Sequence, residues 1–299
     1  MERVVSCHGM SGADTLVPVP ASACPGPQGL ACTATGEMLA VVRRAAAALG
    51  VGEETIAPVG GASGGTWSCG EHFIRVSRAQ VLDRELLAMA AASAAVPVPQ
   101  ALARADFDDG QGGARAAVLL TRLPGRPAGD LTDVSPDRAR RRGEACAALH
   151  VALASLPPPA GVQREELFSL WPTTAPQACA QRACLLHLDL HPFNVLVDEA
   201  DEVSGVLDWA NTAAGPPMLE RARTWSILTL DPAAAGRHAE PAWASLVQGW
   251  AQGAEFDQVP TAARVWACRL MLHDLAGRYD SGALEHVRRC ARAEGGTIP

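Results

Sequence analysis

Apolar and polar positions change period several times along this chain, and each change marks an element. From Gly36 to Gly50, "GEMLAVVRRAAAALG" consists of helix formers with apolar residues at helical spacing and a glycine stop. Residues 55–77, "TIAPVGGASGGTWSCGEHFIRVS", break short β-rich runs with a glycine-rich turn, which predicts a strand, a loop and two more strands. "LDRELLAMAAASAA" (82–95) reads as a helix that must end before Pro97 and Pro99, which cannot continue it. "AAVLLTRLPGRP" (116–127) is a buried strand running into a Pro/Gly turn. Beyond it, 136–156 is a helix with Ala145, Leu149 and Leu153 on one face, and 241–253 and 262–279 are helices whose Trp and Leu residues point to a core. A strand-rich third followed by a helix-rich two-thirds predicts an α+β protein in two lobes. The expected division is a disordered tail over 1–35, an N-lobe over 36–122 and a C-lobe over 123–299, parted at the Pro/Gly turn.

One stretch breaks the pattern. "LLHLDLHPFNVLVDEADEVSGVLDW", Leu185 to Trp209, places His187, Asp189, His191, Asn194 and Asp208 beside the most strand-like segments of the chain. "FNVLVD" and "VSGVLDW" around the polar "EADE" predict a hairpin with a loop of about four residues. With Asp198 and Val203 as the last pair, Asn194 falls opposite Leu207 and beside Asp208. An amide oxygen and carboxylates gathered at one hairpin end are hard oxygen ligands of the kind Mg²⁺ takes, and a metal with phosphates would offset their desolvation. A rival reading makes His187, Asp189 and His191 an H-x-D-x-H metal cluster of a hydrolase, because alternate residues after a strand point one way. No second His pair supplies further ligands; His273 and His286 stand alone.

Composition narrows the chemistry. Apolar residues make up 48% and the net charge is −7, which suits a soluble globular protein and argues against nucleic-acid binding. The longest apolar runs fall short of a membrane span. All 25 basic residues are Arg. Without lysine, neither a Walker A loop nor a pyridoxal Schiff base is possible. Nine cysteines without a CxxC pair fit reduced thiols in a cytoplasmic protein, and the first 35 residues lack the basic start and apolar core of a signal peptide. His150 is expected to be a packing histidine.

His187-Leu188-Asp189, Asn194 and Leu207-Asp208-Trp209 follow H-x-D-x-x-x-x-N and then (I/L)-D-W, and Gly215-Pro216-Pro217-Met218-Leu219-Glu220 stands where G-D-P-x-x-D is usual. In this the chain resembles the aminoglycoside phosphotransferase family, grouped with choline-kinase-like small-molecule kinases in the wider protein-kinase-like fold. The earlier segments are similar in the same order: "GGASGGTW" to the phosphate-covering loop, "FIRVS" to the strand with the ATP-contacting cation, "DRELL" to the helix with its acidic partner, "LLTRLPGRP" to the hinge. The resemblance implies a bilobal fold with a small β-rich N-lobe and a larger helical C-lobe, and transfer of the γ-phosphate of ATP to a hydroxyl with Mg²⁺ as cofactor. Asp189 would orient the hydroxyl or accept its proton, while Asn194 and Asp208 hold the metal. Gly60, Gly61, Ser63 and Gly64 would cover the phosphates. Arg75 would reach the α/β-phosphates and pair with Glu85, main-chain groups from Thr121 to Leu123 would hold adenine, and His187 and Glu220 would support the catalytic loop.

The departures are Arg75 for the frequent Lys, Leu188 for the Gly of H-G-D, Pro216 for the Asp of G-D-P, and Glu220 for its second Asp. Arg offers phosphate a planar fork and remains competent. The implied acceptor is an antibiotic: an aminoglycoside, a viomycin-type peptide or a macrolide. A choline- or homoserine-like metabolite is the alternative, and a non-catalytic ligand-binding protein a third. Asp231, Glu255, Asp257, Asp274 and Glu285 are the acids that could receive a cationic amine.

Overall fold

The computed structural model describes residues 28–52, 56–59, 65–172 and 182–295, with side chains from residue 36. The helix expected from Gly36 is α1, but it spans Gln28–Leu49 and so begins eight residues earlier, inside the stretch expected to be a disordered tail. Three short strands follow: β1 (Ile56–Pro58), β2 (Thr66–Cys69) and β3 (His72–Ser77). Alternation along β2 buries Trp67 and Cys69, while Thr66 and Ser68 are only partly covered. Gly70, at φ 58°, allows the tight turn into β3. The sheet is completed by β4 (Ala101–Asp108) and β5 (Ala114–Thr121) in the antiparallel order β1-β2-β3-β5-β4. Across it lies α2 (Ala79–Ala92), which buries Leu82, Glu85, Ala88, Met89 and Ala92 at helical spacing, with Leu82 against Ala116 and Val118.

After β6 (Arg126–Pro127) the chain is mainly helical. Ser135 caps α3 (Pro136–Ala154), its hydroxyl accepting the Arg138 N–H at 3.3 Å, and Pro136 opens the first turn. Then come β7 (Cys184–Leu186), β8 (Val195–Val197), β9 (Val203–Val206) and β10 (Ala213–Gly215). They form a β10-β7 pair and a β6-β8-β9 sheet. The helices are α4 (Pro217–Leu230), the single turn α5 (Pro232–Ala235), α6 (Pro241–Gly253), α7 (Thr261–Leu275) and α8 (Glu285–Ala293). α3 and α6 touch closely at Gly143, where a Cβ would lie 2.0 Å from the Leu246 carbonyl oxygen. Trp209, Trp243, Trp250 and Trp266 are buried, as expected of core residues. His150 is the expected packing histidine: it is buried, accepts the Trp250 indole N–H at 2.8 Å, and burial pushes its pKa down to about 3. The five cysteines whose side chains are described are free, four of them buried. Among the described residues, no helix is long and apolar enough to cross a membrane.

Candidate active site

The β8–β9 hairpin carries the expected register: Val195 pairs with Val206, and Leu207 N–H donates to the Asn194 carbonyl at 2.8 Å. A bulge between Leu196 and Val197 shifts the far end by one residue, so Val197 faces Val203, while Asp198 N–H reaches Glu202 O at 3.0 Å. The turn there is held by two arginines of α3. Arg142, fully buried, donates to Asp201 Oδ1 at 2.7 Å, and Arg138 binds the other carboxylate oxygen. The sequence marks this turn only as the polar loop of a hairpin and gives Asp201 no role. An acid in a tight turn gives no hint of arginines nearly 60 positions upstream.

At the other end of the hairpin the polar groups converge. Asn194 Nδ2 donates to the Asp189 main-chain oxygen at 2.9 Å and to Asp189 Oδ2 at 3.3 Å. That leaves the Asn194 amide oxygen as an acceptor. Asp189 Oδ1 lies 3.6 Å from His191 Nε2. His187 is buried, and burial lowers its pKa against the pull of Asp189, so the ring is neutral. Its Nδ1 accepts the Asp189 N–H at 3.2 Å, so Nε2 carries the proton and donates to Leu207 O at 2.9 Å. One imidazole thus ties the loop bearing Asp189 to the strand end bearing Asp208. Both ring nitrogens are spent, which excludes His187 as a metal ligand and with it the H-x-D-x-H reading. Among the described residues, no group of three His, Cys, Asp or Glu could hold a metal.

Leu188 and Glu220 complete the loop. Leu188 adopts φ 60°, the left-handed conformation that glycine takes freely, so Leu fills the H-G-D glycine position without a change of backbone path. Its N–H donates to both carboxylate oxygens of Glu220, at 3.1 and 3.0 Å, and His187 N–H donates to Glu220 as well. Arg223 Nε and the Thr224 hydroxyl hold the carbonyls of Leu188 and Leu190 at 3.3 and 3.0 Å. The left-handed conformation costs a branched residue about 1–2 kcal/mol. Leu188 is only 2% exposed, in a cluster with Leu186, Leu219 and Leu270, where truncating a leucine costs roughly 2–5 kcal/mol. Leu188→Gly should therefore lower stability in urea denaturation by about 1–3 kcal/mol. A more stable variant would show that backbone strain outweighs burial.

Arg75 on β3 sits opposite Thr66 and Val118 and reaches three partners. Its Nη2 lies 3.0 Å from Glu85 Oε1 and 3.4 Å from Asp208 Oδ1, Nε donates to Glu85 Oε2 at 3.2 Å, and Nη1 to the Thr66 hydroxyl at 3.2 Å. Burial opposes the guanidinium charge, but Glu85 and Asp208 more than offset it, so the Arg75 pKa is raised. Glu85 is 4% exposed and not a solvated helix residue. The structure thus joins Arg75, Glu85 and Asp208, and separately Asp189, Asn194 and His187. Gly60, Gly61, Ser63 and Gly64 lie outside the described residues. Thr121 spends its N–H and its hydroxyl on Gln100, at 3.0 and 2.9 Å, whereas Leu123 packs over Gly205. Of the five acids that could receive an amine, Asp274 is paired with Arg223 at 2.6 Å, Glu285 with Arg292 and Arg288, and Asp231 caps α5. Glu255 and Asp257 are exposed just after α6, so the five do not form one anionic site.

A five-stranded sheet crossed by one helix, followed by a helical part with an Asn-and-Asp hairpin end, is the kinase-like fold of small-molecule phosphotransferases. A thermostable mutant of aminoglycoside phosphotransferase APH(4)-Ia superposes with a TM-score of 0.57 at 15% identity, over 81% of this chain and 95% of that one. An amicoumacin kinase in complex with AMP-PNP, Ca²⁺ and Ami gives 0.58 at 13% identity, over 89% and 95%. Aminoglycoside phosphotransferase APH(3'')-Id from Streptomyces rimosus, in complex with ADP and streptomycin, gives 0.52 at 18%, over 73% and 91%. The model of the phosphotransferase enzyme family matches residues 66–168 and 161–256, more than half of the sequence, and the chain belongs to that family. A search of curated proteins returned no match.

Proposed function

We propose that the protein transfers the γ-phosphoryl group of ATP to a hydroxyl of a small molecule, with an antibiotic as acceptor. The observation that carries this reading is the bond from Arg75 to both Glu85 and Asp208, which links the sheet to the hairpin end beside Asp189. Residues 36–122 would hold the nucleotide and 123–299 the acceptor. Arg75, oriented by Glu85, would bind the α/β-phosphates, Gly60, Gly61, Ser63 and Gly64 would cover them, and main-chain groups from Thr121 to Leu123 would hold adenine, the Thr121 N–H being already committed to Gln100. Asn194 and Asp208 offer an amide and a carboxylate oxygen on adjacent strand ends, a donor set that fits Mg²⁺. Asp208 is 35% exposed on its side chain and only 3.4 Å bonded to Arg75, so it can turn to a cation. Bound magnesium would neutralise phosphate charge. Asp189 accepts the proton of the acceptor hydroxyl as its oxygen bonds the γ-phosphorus and the bond to the ADP oxygen breaks. Because the transition state is loose, positioning and charge supply most of the rate. The antibiotic assignment is supported by the solved relatives, which bind amicoumacin, hygromycin B and streptomycin.

Thermal denaturation with and without Mg-ATP tests the nucleotide half. At about 100 times its dissociation constant, Mg-ATP should add about 2.7 kcal/mol, an upshift that needs magnesium and is lost in Asp208→Asn. An ADP-release screen over antibiotics, choline and homoserine tests the acceptor. No upshift with ATP or GTP removes the kinase reading, and turnover of choline or homoserine alone removes the antibiotic.

A further inference from the structure

Next to Asp189, on the far side of His191, lies a cavity of about 240 Å³. His191, Pro192 and Phe193 of the loop form one wall. Ile227 and Leu228 at the end of α4, with Trp243 of α6, form the other. The volume falls just below the usual range for a drug-sized ligand, so it holds one moiety of a larger molecule. The lining is mainly apolar and layered. The Phe193 ring lies stacked near Trp243, at 6.2 Å and 25°, and the Arg237 guanidinium sits 4.4 Å above the Trp243 ring. Phe193 rests on Gly129, where a Cβ would come within 3.0 Å of the ring, yet the side chain is 45% exposed. A large aromatic left open at the rim of an apolar cavity is surface suited to an incoming apolar group.

The charged groups at this cavity are few and already engaged. Arg237 is fixed by Glu240 at 3.0 Å and by the Gly129 carbonyl at 3.3 Å, which offsets its charge and holds its plane. The one carboxylate on the lining, Asp231, already accepts the Ala233 N–H at 2.9 Å. A mainly apolar wall with one guanidinium for an oxygen acceptor and one carboxylate offers little to several ammonium groups.

We infer that this cavity receives the acceptor molecule, and that the acceptor presents an apolar or aromatic ring face edged with carbonyl, ether or hydroxyl oxygens rather than a polycationic surface. His191 lines the cavity and its Nε2 lies 3.6 Å from the Asp189 carboxylate, so a ring seated against Phe193 brings a neighbouring hydroxyl toward Asp189. This rests on Asp189 being the transfer site, but binding can be measured without nucleotide, so the two readings fail separately.

The experiment is calorimetric titration of the nucleotide-free protein with chloramphenicol and erythromycin as apolar-faced neutral or single-amine probes, and streptomycin and hygromycin B as polycations. Saturable binding of at least one apolar probe is expected, at least tenfold tighter than either polycation. It should weaken at least tenfold in Phe193→Ala, and vanish in Ala233→Trp, which fills the cavity from an exposed position. Both variants replace exposed side chains, and circular dichroism confirms that they are folded. Tighter binding of a polycation, binding untouched by both variants, or no saturable binding of either apolar probe up to millimolar overturns the inference. A protein that binds the apolar probe but never Mg-ATP loses the kinase reading and keeps the cavity.

Discussion

Asp189→Asn should lower the rate of phosphoryl transfer by about 10²–10⁴-fold, the usual contribution of a positioned acid or base. The substitution is nearly isosteric, and its oxygen can still accept from Asn194 Nδ2, which in the parent reaches the Asp189 main-chain oxygen at 2.9 Å and Oδ2 at 3.3 Å. The main-chain bond from position 189 to His187 Nδ1 is untouched, so the loop should keep its shape. What is lost is the carboxylate proposed to take the proton from the acceptor. The nucleotide contacts assigned to Arg75, Glu85 and Asp208 lie on other elements. The expected result is therefore a selective fall in kcat with the Mg-ATP thermal upshift retained. Turnover within threefold of the parent would rule Asp189 out as proton acceptor. Loss of the upshift together with turnover would mean that the substitution disturbs the whole site.

Glu220→Ala should cost about 2–5 kcal/mol of stability, because it strands the buried N–H groups of His187 and Leu188 at roughly 1–3 kcal/mol each. Glu220→Gln keeps an acceptor oxygen and should cost less, and it also reveals a pH dependence. Burial raises the Glu220 pKa to about 7 from 4.5, against the N–H groups of Leu188 and His187. The folded chain therefore holds this proton through a window in which the unfolded chain has released it. In that window the folded state binds more protons, so stability falls as pH rises from about 4.5 to about 7, by roughly 3 kcal/mol in all. The Gln variant lacks this slope. Urea denaturation at pH 5 and pH 8 should show the parent's advantage over Glu220→Gln shrinking at the higher pH. An equal difference at both would mean that the three N–H contacts keep Glu220 ionised throughout.

The β-rich runs on either side of "EADE" were enough to set Asn194 opposite Leu207, because strand period and loop length fix register wherever both strands are buried. The bulge between Leu196 and Val197 was not legible, and neither was the Asp201 turn beyond it, which is held by two arginines 59 and 63 residues upstream. Arg75 and Glu85 could be named only through the family order of segments; alone, each reads as an ordinary strand or helix residue. Strand β4 went unrecognised. It is an edge strand with no fully buried position, and although Ala103, Ala105 and Phe107 alternate with Arg104, Asp106 and Asp108, two of those three apolar residues are alanines, which carry little strand signal. The left-handed backbone at Leu188 was hidden for a different reason. Leucine seldom adopts it, and only the buried pocket around the side chain makes the exchange for glycine tolerable. The apolar cavity is assembled from residues 191–193, 227–237 and 243, which no local pattern connects.

The fork of Arg75 between Glu85 and Asp208 also sets how this enzyme can be detected. Reagents that find nucleotide sites by acylating an amine, including ATP analogues with an acyl group on the terminal phosphate, depend on a lysine next to the phosphates. In the proposed nucleotide site that position is the Arg75 guanidinium, which stays protonated and does not acylate under such conditions. No lysine elsewhere in the 299 residues can substitute for it. A survey of a cell extract with such reagents would pass over this protein even with its nucleotide site full. Labelling confined to the chain's α-amino group is the pattern to expect.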